Sequence, residues 1–106
     1  MSKATQESDR RALIALIGAL LKSFQRRKRE PDRWESFHTL GALNHLAMGN
    51  LREGELQSRL ARMPGELRPP AQYRRIPEDF EPMSGAELRE ALDEIAAGGP
   101  GATYPH

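Results

Sequence analysis

Residues 12–21 read ALIALIGALL, ten consecutive positions without a charge, and the reading of this run decides the fold. As an α-helix the run rises about 15 Å, roughly half the hydrocarbon core of a bilayer, which is too short to span a membrane. A cleaved leader would place small residues directly after the run. Instead Lys22-Ser23-Phe24-Gln25-Arg26-Arg27 follows, and Glu7 and Asp9 precede it. The expectation is therefore a buried helix, with no leader and no membrane contact. At helical spacing, Leu13, Ile14, Leu16, Ile17, Leu20, Leu21 and Phe24 fall on one broad apolar arc. Ala12, Ala15 and Ala19 flank it with side chains small enough for a close neighbour, and Arg11, Lys22, Arg26 and Arg29 lie opposite. Ser8 or Asp9 supplies a starting cap, and Pro31 ends the helix near Glu30.

Beyond Pro31 the pattern stays helical. Asp32 with Glu35 three residues later has the spacing of a capping box. Trp34, Phe37, Leu40, Leu43, Ala47 and Met48 then form an apolar side, and Gly49-Asn50 is a stop. Asn50 precedes Glu53 by three and opens a third helix to about Met63, with Leu56, Leu60 and Met63 on one face. The short joint implies a tight corner. Residues 64–83 hold five of the chain's eight prolines, which excludes continuous helix or a central strand. Ser84-Gly85-Ala86-Glu87 is a second capping box. It begins a helix from Ala86 to Ala97 with Leu88, Leu92 and Ile95 on one side and Glu87, Glu90, Asp93 and Glu94 on much of the rest. Gly98-Gly99-Pro100 stops it, and residues 99–106 are expected to fray. No repeat and no alternating strand pattern appears.

The fold expected is all-α and single-domain. A three-helix body spans 8–63, a proline-rich connector 64–83, an acidic helix 84–98 and a tail 99–106. A chain of 106 residues supports one modest core, and 38% apolar and 6% aromatic residues leave much solvated surface. No cysteine is present, so thiolate chemistry and disulfides are excluded, and a cytoplasmic location is expected. The net charge of +1 hides an asymmetry. Residues 1–75 carry 15 cationic side chains against 8 carboxylates, while residues 76–106 carry one against 7. Such halves attract each other or face different partners.

Chemistry is sparse. No glycine-rich phosphate loop and no nucleophile elbow occurs, so no enzyme, cofactor or metal is expected. Glu35-Ser36-Phe37-His38 has the Glu-x-x-His spacing of di-iron bundles, but no second such pair accompanies it. His38 and His45 share a helix side about 10 Å apart, too far for one ion. The pointed feature is QRRKREPDRW, residues 25–34, with five cations in ten positions. Cations in a helix's last turns complement its dipole, which explains part of the run without a ligand. Arg26, Arg27, Lys28, Arg29 and Arg33, extended by Arg74 and Arg75, are the candidate contacts to a protein partner or to nucleic acid. Arg27 and Lys28 point past Phe24, so these cations are expected to be solvated. The connector offers Ile76 and Phe80 either as anchors on this chain's own helices, the favoured reading, or as protein-docking side chains. The wide arc of helix one suggests a homodimer through Leu13, Ile17 and Leu20. The acidic helix is expected to dock by its leucine face and bring its carboxylates near Arg26 to Arg33. The functional expectation is a small adaptor or regulator acting through protein–protein contacts, with a DNA- or RNA-binding regulator as the alternative.

Overall fold

A computed structural model describes residues 3–98, with side chains from Gln6 onward. It is all-helical, with α1 (Lys3–Arg26), α2 (Arg33–Met48), α3 (Leu51–Arg62), a short α4 (Pro70–Tyr73) and α5 (Gly85–Ala96). A 3-10 turn at Gly65–Leu67 interrupts the connector, and no strand occurs among the described residues. No described helix is long and apolar enough to cross a membrane.

The helix ends follow local chemistry. Asp32 caps α2: its carboxylate accepts from the Glu35 amide at 2.8 Å, and Glu35 Oε1 accepts from the Asp32 amide at 2.9 Å. Ser84 and Glu87 make the same reciprocal pair at α5, each bond 3.1 Å. The hydrogen bonds from Ser84 hold the Glu87 carboxyl below its ordinary pKa, because they favour the charged form. Gly49 closes α2 at φ +81°, the left-handed conformation glycine adopts without strain. Two boundaries differ from the sequence expectation. α1 passes straight through Ser8 and Asp9, because the stretch before them contains good helix formers and no breaker. At its other end α1 stops at Arg26, four residues short of Glu30, and Lys28 turns the chain at φ +54°. Asn50 precedes α3 but makes no side-chain cap bond.

α2 is the central element. Twelve of its sixteen residues are buried, including the polar Ser36, His38, Thr39 and Asn44. α1, α3 and α5 all pack against it, and α1 also meets α3 and α5. The main core joins Leu13, Ile17, Leu20, Leu21 and Phe24 of α1 to Leu40, Leu43 and Leu46 of α2 and to Leu88, Leu92 and Ile95 of α5. Burying each such side chain contributes about 1.5–3 kcal/mol. α3 approaches closely through Gly54, where a Cβ would lie 2.6 Å from Leu13 Cδ2. Its packed face is therefore Gly54, Ser58, Leu60 and Ala61, whereas Leu56, expected inside, is exposed. Met48 is exposed as well.

The arc of α1 is thus covered within one chain. Leu13, Ile17 and Leu20 are 4%, 0% and 1% exposed, which corrects their assignment to a dimer seam. The physical reason is coverage by α2, α3 and α5 together, since the connector returns α5 to α1. Ala12, Ala15 and Ala19, expected beside a close neighbour, are exposed. The expected tail at 99–106 lies outside the described residues.

Candidate functional site

The basic end of the molecule is built around Trp34. Its indole is 1% exposed, and Nε1 donates to the Leu60 carbonyl of α3 at 2.6 Å. With Phe37, Leu60 and Ile76 it forms a second apolar cluster, against which Met63 and Phe80 pack. Ile76 comes from the connector and is 6% exposed, so it is an internal anchor, not a partner-docking side chain. Phe80 is half-buried, edge-on to Phe37 with ring centroids 5.2 Å apart. The favoured reading, anchors on this chain's own helices, is the one both residues follow, and the partner-docking alternative gives way because the connector turns these apolar groups onto its own helices. It is ordered by amide bonds such as Ile76 to Tyr73 O at 3.2 Å and Phe80 to Pro77 O at 3.0 Å.

Over this cluster lies a charge network. Glu35, its side chain 4% exposed, meets Arg27 at 2.8 Å, with Arg29 and Arg68 each at 3.9 Å. Arg68 also donates to Asp32 at 3.0 Å and to the Met63 carbonyl at 3.1 Å, and its guanidinium lies 5.4 Å from the Trp34 ring centroid. Burial disfavours the Arg68 cation, but bonds to the Tyr73 hydroxyl and the Asp32 carboxylate outweigh it and raise its pKa. Arg27 stacks on Phe24 at 4.9 Å. One buried carboxylate therefore ties together the end of α1, the start of α2 and the connector. Arg27 and Arg29 were expected to be simply solvated. Both are exposed as expected, but each also faces the buried Glu35 carboxylate, a counter-charge that was not foreseen.

The remaining sequence candidates converge on the same end. Arg33 donates to the Pro77 carbonyl. Tyr73 packs on Trp34 with its ring tilted by 47° and centroids 4.6 Å apart, and Arg74 and Arg75 follow it directly in the chain. Arg26, Lys28, Arg33, Arg74 and Arg75 are all exposed, and Tyr73 and Leu67 are 45% and 65% exposed. The segments 26–35 and 68–79 bring eight cations and five carboxylates together. Arg68 and the buried role of Glu35 were not foreseen. Glu35 was legible only as a cap, and nothing around Arg68 in a proline-rich stretch signals a buried guanidinium.

The acidic helix does not supply the counter-charge to Arg27 and Arg29; α2 does. α5 instead touches this end through its first amide, Gly85 to Glu30 Oε2 at 2.8 Å, and Arg89 pairs with Asp93 at 3.4 Å along its outer face. Glu35 and His38 do not form a metal pair. Glu35 faces arginines, while His38 Nδ1 is 2.7 Å from Gln57 Oε1 and its ring is edge-on to Trp34. No group of three or more metal-ligating side chains converges among the described residues. A broad groove of about 1230 Å³ lies at the opposite end, between Gln6 to Leu13 of α1 and the corner at Gly49 to Glu53. Its lining mixes Glu7, Asp9, Arg10, Arg52 and Glu53 without a convergent set. Comparison with protein-family models, curated proteins and solved structures finds no match.

Proposed function

We propose that this chain is a non-enzymatic interaction module, a small adaptor or regulator, that docks an acidic segment of a partner protein on its basic end. The observation that carries the reading is the placing of the exposed Arg33, Arg74 and Arg75 at the connector turn that holds the half-exposed Tyr73, on a base locked by Trp34, Ile76 and Glu35. A surface whose supports are already ordered loses less entropy on docking than a flexible arm. Exposed Leu67 and Tyr73 supply apolar contact area, and the surrounding cations supply steering. The polar clusters described above tie elements to one another, which fits binding better than catalysis. A cysteine-free chain of this kind suits a cytoplasmic setting.

Nucleic acid is the second reading, favoured by one specific feature. An exposed aromatic beside two arginines also suits base stacking. Against it, Asp32 and Glu35 neutralise much of the field of Arg27, Arg29 and Arg68, which weakens attraction to a phosphate backbone. The two readings separate in one titration, with a Glu/Asp-rich peptide containing leucine and with single-stranded and duplex oligonucleotides. The protein reading expects saturable peptide binding that is lost in Arg74→Ala/Arg75→Ala. Tight oligonucleotide binding with a steep salt dependence, and none to the peptide, would replace it with the nucleic-acid reading.

A further inference from the structure

We infer that the acidic segment this surface takes is α5 of a second copy of the same chain, giving a two-fold dimer held by reciprocal charge. The inference rests on the docking reading and names its partner. Two complementary patches stand on one molecule. The first is Tyr73 with Arg74, Arg75 and Arg33, described above. The second is the outer face of α5, where Glu87, Glu90, Asp93 and Glu94 are exposed around a single cation, Arg89, which pairs with Asp93 and leaves the face net acidic. α5 turns Leu88, Ala91, Leu92 and Ile95 inward, so its acidic face is left outward by the packing itself.

The chemistry matches in kind as well as in sign. Carboxylates on an exposed helix face accept the guanidinium groups that flank Tyr73, and the planar guanidinium can meet a carboxylate with two hydrogen bonds. Within one chain the nearest arginines of the basic turn are committed to Glu35, so α5 is not consumed by them. The placement also suits a closed dimer. α5 begins at the end of the molecule that carries the basic turn, through the Gly85–Glu30 bond, and its outer face runs away from that end. A two-fold rotation sets each patch on its complement, twice per dimer, and leaves no open end to propagate. α5 has 12 residues and is about 18 Å long, so each contact is small. Interfaces of that size are weak and, when charged, sensitive to salt. This seam is different from α1, whose apolar arc is already buried.

The test is sedimentation of the full chain at about 0.01 M and about 1 M salt, where screening lengths are about 30 Å and about 3 Å. The wild type is expected to dimerise at the low ionic strength and dissociate at the high one. Arg74→Glu/Arg75→Glu and Glu90→Lys/Asp93→Lys each set like charges together and should weaken association by about a hundredfold. Mixing the two variants restores both contacts in a heterodimer, so the mixture should associate as the wild type does. A wild type that stays monomeric at low salt, or a mixture that does not recover, overturns the inference. So does a dimer that survives both reversals, since it would use another face. Failure here with retained binding of the acidic peptide removes only the second-copy partner. Failure of both removes the docking reading as well.

Discussion

The two apolar clusters of this molecule are built by opposite means. The larger one, from Leu13 to Ile95, is made by helices whose apolar residues recur at helical spacing, so each element brings a whole face. The smaller one, around Trp34, takes single residues from places with no period: Trp34 and Phe37 from α2, Leu60 from α3, Ile76 from a proline-rich connector. The first makes the fold. The second positions the basic end, because Tyr73, Arg74 and Arg75 are held where Ile76 is buried and Tyr73 meets Trp34. A connector that reads as a linker thus serves as a strap, with charge bonds from Arg68 and Arg33 along its length.

The sharpest way to break this division is to damage the larger cluster. Ile17 is completely buried, and Ile17→Asp places a carboxylate there with nothing to pair it. Such a charge costs several kcal/mol against a total domain stability of about 5–15 kcal/mol. Circular dichroism should show loss of most helix, and a variant that remains folded would mean that α1 packs otherwise. Ile76→Ala acts on the strap instead. It should cost about 2 kcal/mol and release the connector while the α1–α2–α5 resonances keep their dispersion in NMR spectra. If the whole chain melts as one unit, the two clusters are not separate.

Glu35→Gln tests the network above the strap. It removes the charge shared by Arg27, Arg29 and Arg68, but Arg27 and Arg29 are partly exposed and Arg68 keeps Asp32. The expected loss in denaturant unfolding is therefore only about 1–2 kcal/mol, well below that of a fully buried pair. Lys28→Gly should have the smallest effect and the opposite sign. Lys28 holds φ +54°, where glycine sits without strain, so the variant should gain about 1 kcal/mol. It should also bind the acidic peptide less well, which would show that the turn keeps a cation at the expense of stability.

What could be read from sequence was what neighbours in sequence decide. The capping boxes at Asp32–Glu35 and Ser84–Glu87, the arc of α1 and the leucine face of α5 are local patterns, and they form as expected. The basic residues were legible as a set, since Arg33, Arg74 and Arg75 do come to one end. What escaped depends on contacts between distant segments. The sequence marks only one apolar side of α2, Trp34 to Met48, yet Ser36, Thr39 and Asn44 outside that set are buried too. The dimer seam at Leu13, Ile17 and Leu20 was wrong because the return of α5 across α1 leaves no local trace. Arg68 gave no sign that it lies over an indole.

Amide hydrogen exchange across the native chain tests most directly whether the connector is a strap. The account predicts two tiers of protection. Amides within α1, α2 and α5 should exchange only with global unfolding. Ile76 and Phe80, bonded to Tyr73 and Pro77, should be protected as well, but should open at a lower free energy. Ile76 and Phe80 exchanging at the rate of an unstructured peptide would contradict the account, since the basic end would then have no fixed base.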